Sequence, residues 1–85
     1  MSKVDVKKLP KGKTVCVETS SGNEYLFTVI DPKECKANVT RVHAQPQAPK
    51  AGNLGERVIS RFICIGKPAY HGYSGTSKVT KITLK

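Results

Sequence analysis

Acidic and aromatic residues are both scarce in this 85-residue chain, and tryptophan is absent. Six Asp and Glu face fifteen Lys and Arg, which gives a formal net charge of +9. Acids that are few and mostly isolated in the sequence argue against a catalytic pair of carboxylates. A chain of this length forms one domain with a modest core and has no room for a separate cofactor domain.

Cysteine and histidine are too few and too widely separated to form a recognisable site. Cys16, Cys35 and Cys64 make an odd number without a CxxC pair, and the two histidines lie apart from them. Metal sites need clustered ligands, and a nucleophilic cysteine needs a base and an orienting third residue. We therefore expect no enzyme activity, no cofactor and no metal.

Long apolar runs are also missing. No stretch reaches the length of a transmembrane helix, and the N-terminus lacks the apolar core of a signal peptide. Two of the three cysteines fall inside apolar strand patterns, where a free thiol behaves as a small buried hydrophobe and indicates a reducing compartment. These features predict a cytoplasmic protein with no membrane partner.

The positive charge is concentrated at the two ends of the chain. Residues 1–13, a basic lead-in segment, carry five lysines against one aspartate, and residues 57–85 carry six basic residues and no acid. In a small barrel the first and last strands often lie close together, so the two ends can merge into one patch. Such a patch attracts polyanions or acidic proteins, although a solvated lysine-rich surface explains the same charges equally well.

Two strand patterns near the N-terminus predict a hairpin. The stretches TVCVET (14–19) and EYLFTVI (24–30) are rich in β-branched and aromatic residues, and SSGN joins them. A register that pairs odd positions with odd positions gathers the apolar side chains on one face. Those side chains are Val15, Val17, Tyr25, Phe27 and Val29. This register requires a three-residue loop or a bulge at Gly22 and Asn23.

The rest of the chain continues the all-β pattern, so that residues 14–85 form a single small β domain. Residues 31–34 resemble the start of a single helical turn, and residues 45–56, with two prolines and two glycines, predict a flexible loop. Further strands are expected at 38–44, 57–65, 67–73 and 77–84, and the most apolar of them, 57–65, is expected to be central.

The number and length of these strands predict an all-β fold. A small antiparallel barrel of five to six strands, SH3-like, Sm-like or OB-like, fits the pattern, and so does a compact sandwich. The first hairpin, with its glycine turn at SSGN, resembles the opening strands of SH3-like and Sm-like barrels, which present contacts on loops and edges. Strand order remains open among these topologies.

The stretch HGYSGTSKV, residues 71–79, is the strongest candidate for a binding loop. Its glycine spacing does not fit a P-loop, and although Gly72 to Gly75 match the GXXG of KH domains, they lie between strands. A hairpin turn is therefore the favoured interpretation. The alternative is a nucleic-acid contact, because tyrosines for stacking and lysines for phosphates surround the glycines.

We predict a small basic binding protein that contacts RNA or DNA through the phosphate backbone with little sequence specificity. The candidate residues are the basic side chains of both ends and the tyrosines of the turn: Lys7, Lys8, Lys11, Lys13, Arg61, Lys67, Tyr70, Tyr73, Lys78 and Lys81.

The alternative is a protein–protein interaction or assembly module, either a homodimer or a strand-addition partner. Apolar residues occur on both faces of the predicted strands, more than one barrel interior is expected to hold. They are Leu26, Ile30, Ile59, Ile63 and Ile65.

Overall fold

A computed structural model describes residues 2–43 and 52–85 of the chain. Within these residues the chain forms eight strands and a single 3-10 helix, Val6–Lys8, so the all-β prediction is confirmed. The strands are β1 (Lys3–Asp5), β2 (Thr14–Thr19), β3 (Glu24–Asp31), β4 (Lys36–His43), β5 (Gly52–Val58), β6 (Phe62–Cys64), β7 (Pro68–His71) and β8 (Ser74–Leu84).

Six of the strands form one antiparallel sheet that curls into a half-barrel, in the order β5-β4-β3-β2-β8-β7, while β1 pairs with β6. The chain after β5 then meets β7 at the far edge of the curl. Ile59 forms a β-bridge with His71, the Ser60 N–H donates to the Tyr70 carbonyl at 3.0 Å, and the Gly72 N–H donates to the Val58 carbonyl at 2.7 Å. These bonds join the two edges of the sheet at one corner.

The long strand β8 belongs to both sides of the molecule. Residues 79–84 pair with β2, and residues 74–78 pair with β7. We call β2, β3, β4, β5 and the second half of β8 the first layer. We call β1, β6, β7 and the first half of β8 the second layer. The core fills the space between the two layers.

The β2–β3 hairpin has the predicted odd-to-odd register, with Val15 opposite Phe27 and Val17 opposite Tyr25. All four side chains are buried in the core. The Thr19 N–H donates to the Asn23 carbonyl at 3.0 Å and closes a three-residue loop. Gly22 has a φ of +86°, the left-handed conformation that such loops require at this position, so the loop prediction is confirmed.

The basic lead-in segment is an integral part of the core. Val4 lies opposite Ile63, and the Val6 N–H donates to the Arg61 carbonyl at 2.7 Å. Both valine side chains are buried, and they alternate with exposed or half-exposed charged residues. Residues 3–8 therefore contribute one strand and two core side chains while their lysines stay in solvent.

The prediction of one central strand at 57–65 is wrong. β5 ends at Val58 as an edge strand, and after Ile59 the chain changes layers before it resumes as β6, which pairs with β1. The change of direction occurs at Ser60, whose hydroxyl oxygen accepts the Tyr70 N–H at 2.8 Å. The stretch looked uniformly apolar because outward-facing residues such as Val58 and Phe62 are hydrophobic and exposed.

Two other local predictions need correction. Residues 52–56 of the predicted loop belong to β5, while residues 45–51, like Ala44 of the predicted third strand, lie outside the described residues. The left-handed Gly55, φ +87°, accompanies a register shift against β4, and this shift hides the period-two pattern. Residues 32–35 form a turn rather than a helical turn: Asp31 ends β3, and Cys35 adopts a φ of +53° immediately before β4 begins at Lys36.

Candidate nucleic-acid interface

The outer surface of the second layer carries exposed aromatic and basic side chains. Val4, Ile63 and Ala69 point into the core, so strand alternation directs their neighbours outward. Cross-strand pairing of Pro68 with Lys78 and of Tyr70 with Gly75 continues this surface onto β8. We call it the aromatic face, and it consists of Lys3, Asp5, Ser60, Arg61, Phe62, Pro68, Tyr70, Gly75 and Lys78.

Tyr70 is the most exposed aromatic residue within this face, with 57% of its surface accessible. Its ring covers Gly75: a Cβ atom at position 75 would lie 3.0 Å from Cε1 and 3.1 Å from Cδ1 of the ring. The backbone of Tyr70 is bonded on the other side to Ser60, whose hydroxyl accepts its N–H. The ring is therefore supported by the strand beneath it and open to solvent above.

Phe62 is flanked by cations. The Lys3 ammonium lies 4.5 Å and the Arg61 guanidinium carbon 4.7 Å from the ring centroid, distances typical of cation–π contacts. Arg61 also donates two hydrogen bonds of 3.2 Å to the carboxylate of Asp5. These hydrogen bonds lower the pKa of Asp5 and raise that of Arg61, so both groups remain charged near neutral pH.

The acidic residues are distributed unequally between the two layers. Residues 57–85, which include β6, β7 and β8, contain no acid, and the aromatic face has one acid, Asp5. The other five acids lie on β2, β3, β5 or the β3–β4 turn: Glu18, Glu24, Asp31, Glu34 and Glu56. Lys67, exposed in the β6–β7 connection, adds a further cation at the rim of the aromatic face. This side of the molecule therefore presents a positive potential.

No family model, curated protein or solved structure matches this chain. In the described residues the helix Val6–Lys8 has a single turn, far short of the length that crosses a membrane. The assignment of function therefore depends on the chemistry of the site itself.

The aromatic face brings together part of the predicted set of binding residues. Arg61, Tyr70 and Lys78 lie on it, and Lys67 lies at its rim. Tyr73, also a predicted binding residue, is not a member of the aromatic face: it is fully exposed in the two-residue turn at the tip of the β7–β8 hairpin. The stretch 71–79 is a hairpin turn, as favoured from the sequence: His71 pairs with Ser74, and Gly72, the first turn residue, has a φ of +63°.

The remaining predicted residues are not members of the aromatic face. Lys7, Lys8, Lys11 and Lys13 belong to the 3-10 helix and the turn that leads into β2. Lys8 lines a shallow groove of about 200 Å³ together with Lys3, Asp5 and Leu84, so it borders the aromatic face beside the C-terminal end of β8.

Lys81 lies on the first layer, with its Nζ 3.8 Å from a carboxylate oxygen of Glu18. A bulge in β8 causes this placement: Glu18 pairs with Lys81 and Thr19 pairs with Val79, which leaves Thr80 as the extra residue. Val79 and Ile82 are both buried, so Lys78 and Lys81 both face outward, but Lys78 lies in the half of β8 that pairs with β7 and Lys81 in the half that pairs with β2.

Sequence reasoning missed Phe62 and Lys3. Phe62 was assigned to a central strand, where a phenylalanine is expected to be buried. The signal that was available is strand parity: once Ile63 faces the core, Phe62 must face outward, beside Arg61 and opposite Asp5.

His71 belongs to the core rather than to this face, with 4% of its surface exposed. The Arg57 guanidinium donates to its Nδ1 at 2.9 Å, and the ring packs 5.5 Å from that of Tyr25. Burial, together with the positive charges of Arg57 and Arg41, lowers the pKa of His71, so the imidazole is neutral at pH 7. An acceptor role at Nδ1 fixes the proton of the neutral ring on Nε2.

Cys16 is also buried, and its thiol donates to a carboxylate oxygen of Glu24 at 3.0 Å. Burial and the Glu24 carboxylate raise the pKa of Cys16 to about 11. The thiol stays protonated at neutral pH, in the state that is a poor nucleophile and a poor metal ligand. Among the described residues no three His, Cys, Asp or Glu side chains come together as a metal site would require.

Proposed function

We propose that this protein binds nucleic acid through the phosphate backbone, with little sequence specificity, on the aromatic face. The observation that supports the proposal most directly is the clustering of Lys3 and Arg61 around the exposed Phe62 ring, on the layer that carries one of the six acids. A polyanion is attracted to this layer more than to the first layer, where the five acids offset cations such as Lys36, Arg57 and Lys81.

The cations of the face have suitable chemistry for phosphate. The Arg61 guanidinium is oriented by Asp5 and by the Phe62 ring, which leaves part of its fork of donors available because the side chain is about half exposed. Lys67 and Lys78 are exposed and act as point charges. Phosphate contacts of this kind fix position but read no sequence, which is why we expect little base preference.

Charge reversal on each layer tests the proposal. The double variant Lys67→Glu, Lys78→Glu removes two cations from the second layer, and Lys33→Glu, Lys36→Glu makes the same change in net charge on the first layer. Lys33 lies in the β3–β4 turn, and Lys36 points outward because its neighbour Ala37 is buried. All four lysines are exposed, so we expect each variant to fold.

Fluorescence anisotropy of labelled single-stranded and duplex oligonucleotides measures the result. We expect the second-layer variant to lose affinity at least tenfold, since close charge pairs dominate such binding, and the first-layer variant to lose much less. Equal losses in both variants would mean that net charge alone governs binding and that the aromatic face is not the site.

A second candidate function is assembly through β5, which is an outer strand of the six-stranded sheet. The Val58 side chain is 54% exposed, and although the Val58 carbonyl already accepts the Gly72 N–H, the rest of this edge strand offers backbone groups to a partner strand. Size-exclusion chromatography with light scattering tests this candidate: a dimer is expected to dissociate when Val58 is replaced by Lys. A monomeric mass at millimolar concentration would contradict it.

A further inference from the structure

The two aromatic rings within the aromatic face differ in what contacts them. Phe62 already has an ammonium and a guanidinium within 5 Å of its ring centroid, so its contacts are with cations. Tyr70 rests on Gly75 and is open to solvent on the other side. Tyr70 is therefore the aromatic side chain of this face that has an open surface for a flat ligand.

We propose that Tyr70, seated on Gly75, is a stacking platform for one unpaired base, so that the ligand is single-stranded nucleic acid. This inference rests on the function proposed above and names the form of nucleic acid that the same face takes. Every base has a π-face, so stacking adds affinity without sequence preference. A base inside a duplex is stacked on its neighbours and cannot reach the tyrosine.

The platform is held in place before any ligand arrives. The backbone of Tyr70 is bonded to Ser60 in both directions: its N–H donates to the serine hydroxyl at 2.8 Å, and its carbonyl accepts the serine N–H at 3.0 Å. Gly75 opposite it supplies a flat seat without a side chain. A ring that is already positioned loses little conformational freedom on binding.

Cations lie on both sides of the platform in the strand register. Lys78, opposite Pro68, is one step along β7 and β8 on the same face. Arg61 directly follows Ser60, which is bonded to Tyr70 on the other side. We therefore expect the two phosphates that flank a stacked nucleotide to contact Lys78 on one side and Arg61 on the other.

Four variants test the platform with a labelled thymidine oligonucleotide of about 12 nucleotides and a hairpin duplex of equal charge. Tyr70→Ala removes the ring, and Tyr70→Phe keeps it. Gly75→Ala places a methyl group 3.0 Å from the ring and displaces it, at a position whose φ an alanine can adopt. Tyr73→Ala is the matched control, since it removes the same side chain from the tip of the hairpin.

We expect Tyr70→Ala to weaken single-strand binding by roughly 5- to 100-fold, Gly75→Ala to weaken it in the same direction, and Tyr70→Phe and Tyr73→Ala to change it less than threefold. Duplex binding is expected to be weaker in the wild-type protein and unchanged by Tyr70→Ala. Tyrosine fluorescence is expected to fall when the single strand binds, and this quenching is expected to disappear in Tyr70→Ala.

Two outcomes overturn the inference in different ways. Equal binding of single strand and duplex, unaffected by Tyr70→Ala and Gly75→Ala, would leave phosphate binding in place and remove the stacking platform. Absence of binding to either oligonucleotide, even at low salt, would overturn both the platform and the proposed function. Should Gly75→Ala fail to fold, the comparison of Tyr70→Phe with Tyr70→Ala still tests the platform. Both variants lack the tyrosine hydroxyl, and the first of them keeps the aromatic ring.

Discussion

We expect binding of a single strand to this protein to weaken steeply as salt is raised, by an amount that the structure sets. Lys3, Arg61 and Lys78 lie on the aromatic face, and Lys67 lies at its β6–β7 rim, which makes four cations for a bound strand to contact. If each neutralises one phosphate, the logarithm of the binding constant falls with the logarithm of the salt concentration with a slope of about −3. Raising the salt from about 50 to about 250 mM then lowers the affinity roughly 100-fold.

A single neutral substitution on each layer refines this measurement. Lys78→Gln removes one phosphate contact, and the slope is expected to become shallower by about 0.7. Lys36→Gln changes the charge equally on the first layer and is expected to leave the slope unchanged. Anisotropy titrations at five salt concentrations give both slopes. A wild-type slope near zero, or the same change in both variants, would refute the counting of phosphates on this face.

Three further predictions concern the stability and reactivity of the fold. Phe27→Ala, at a fully buried position, is expected to lower the free energy of unfolding by about 3–5 kcal/mol in urea denaturation. Phe62→Ala, at an exposed position, is expected to lower it by less than about 1.5 kcal/mol. Similar losses in the two variants would contradict the assigned layers. Because folding lowers the pKa of His71, the unfolded chain binds more protons than the folded one below about pH 6.5, so the free energy of unfolding is expected to fall as the pH drops from about 7 to about 5. His71→Asn keeps an acceptor for Arg57 and is expected to flatten this pH dependence. An unchanged dependence of stability on pH in the variant would contradict the assignment. With a thiol reagent under native conditions, Cys64 is expected to react first and the buried Cys16 and Cys35 only on unfolding; a fast reaction that persists in Cys64→Ser would show that a buried thiol is accessible.

The first hairpin was predictable because its residues obey one local rule. The alternation of Val15 and Val17 with polar neighbours, and of Tyr25 and Phe27 with theirs, selects a single register, and Gly22 supplies the turn that this register needs. The same rule failed over 52–65. There the left-handed Gly55 shifts the register, and the outward side chains of Val58 and Phe62 are as apolar as the inward ones.

The sequence predicted which kinds of side chain form the site, but it did not predict which individual residues lie together in it. Tyr70 and Lys78 were found because they are close in sequence to the glycine turn. The outward position of Lys81 beside Glu18 depends on the bulge at Thr80, and the contact between Arg61 and Asp5 joins residues that are far apart in the chain. Such placements follow from tertiary pairing, which local patterns do not encode.

The pairing of β2 with β8 has a consequence for how the protein is made. β2 lies between β3 and β8, and its partners in β8 extend from Val79 to Leu84. On the ribosome β2 therefore emerges early but has one open edge until residue 84 has left the exit tunnel. Until then the apolar face of the β2–β3 hairpin stays uncovered, so we expect the domain to fold after its synthesis rather than during it. Folding is expected to be slow, as is typical of sheets whose paired strands are distant in sequence.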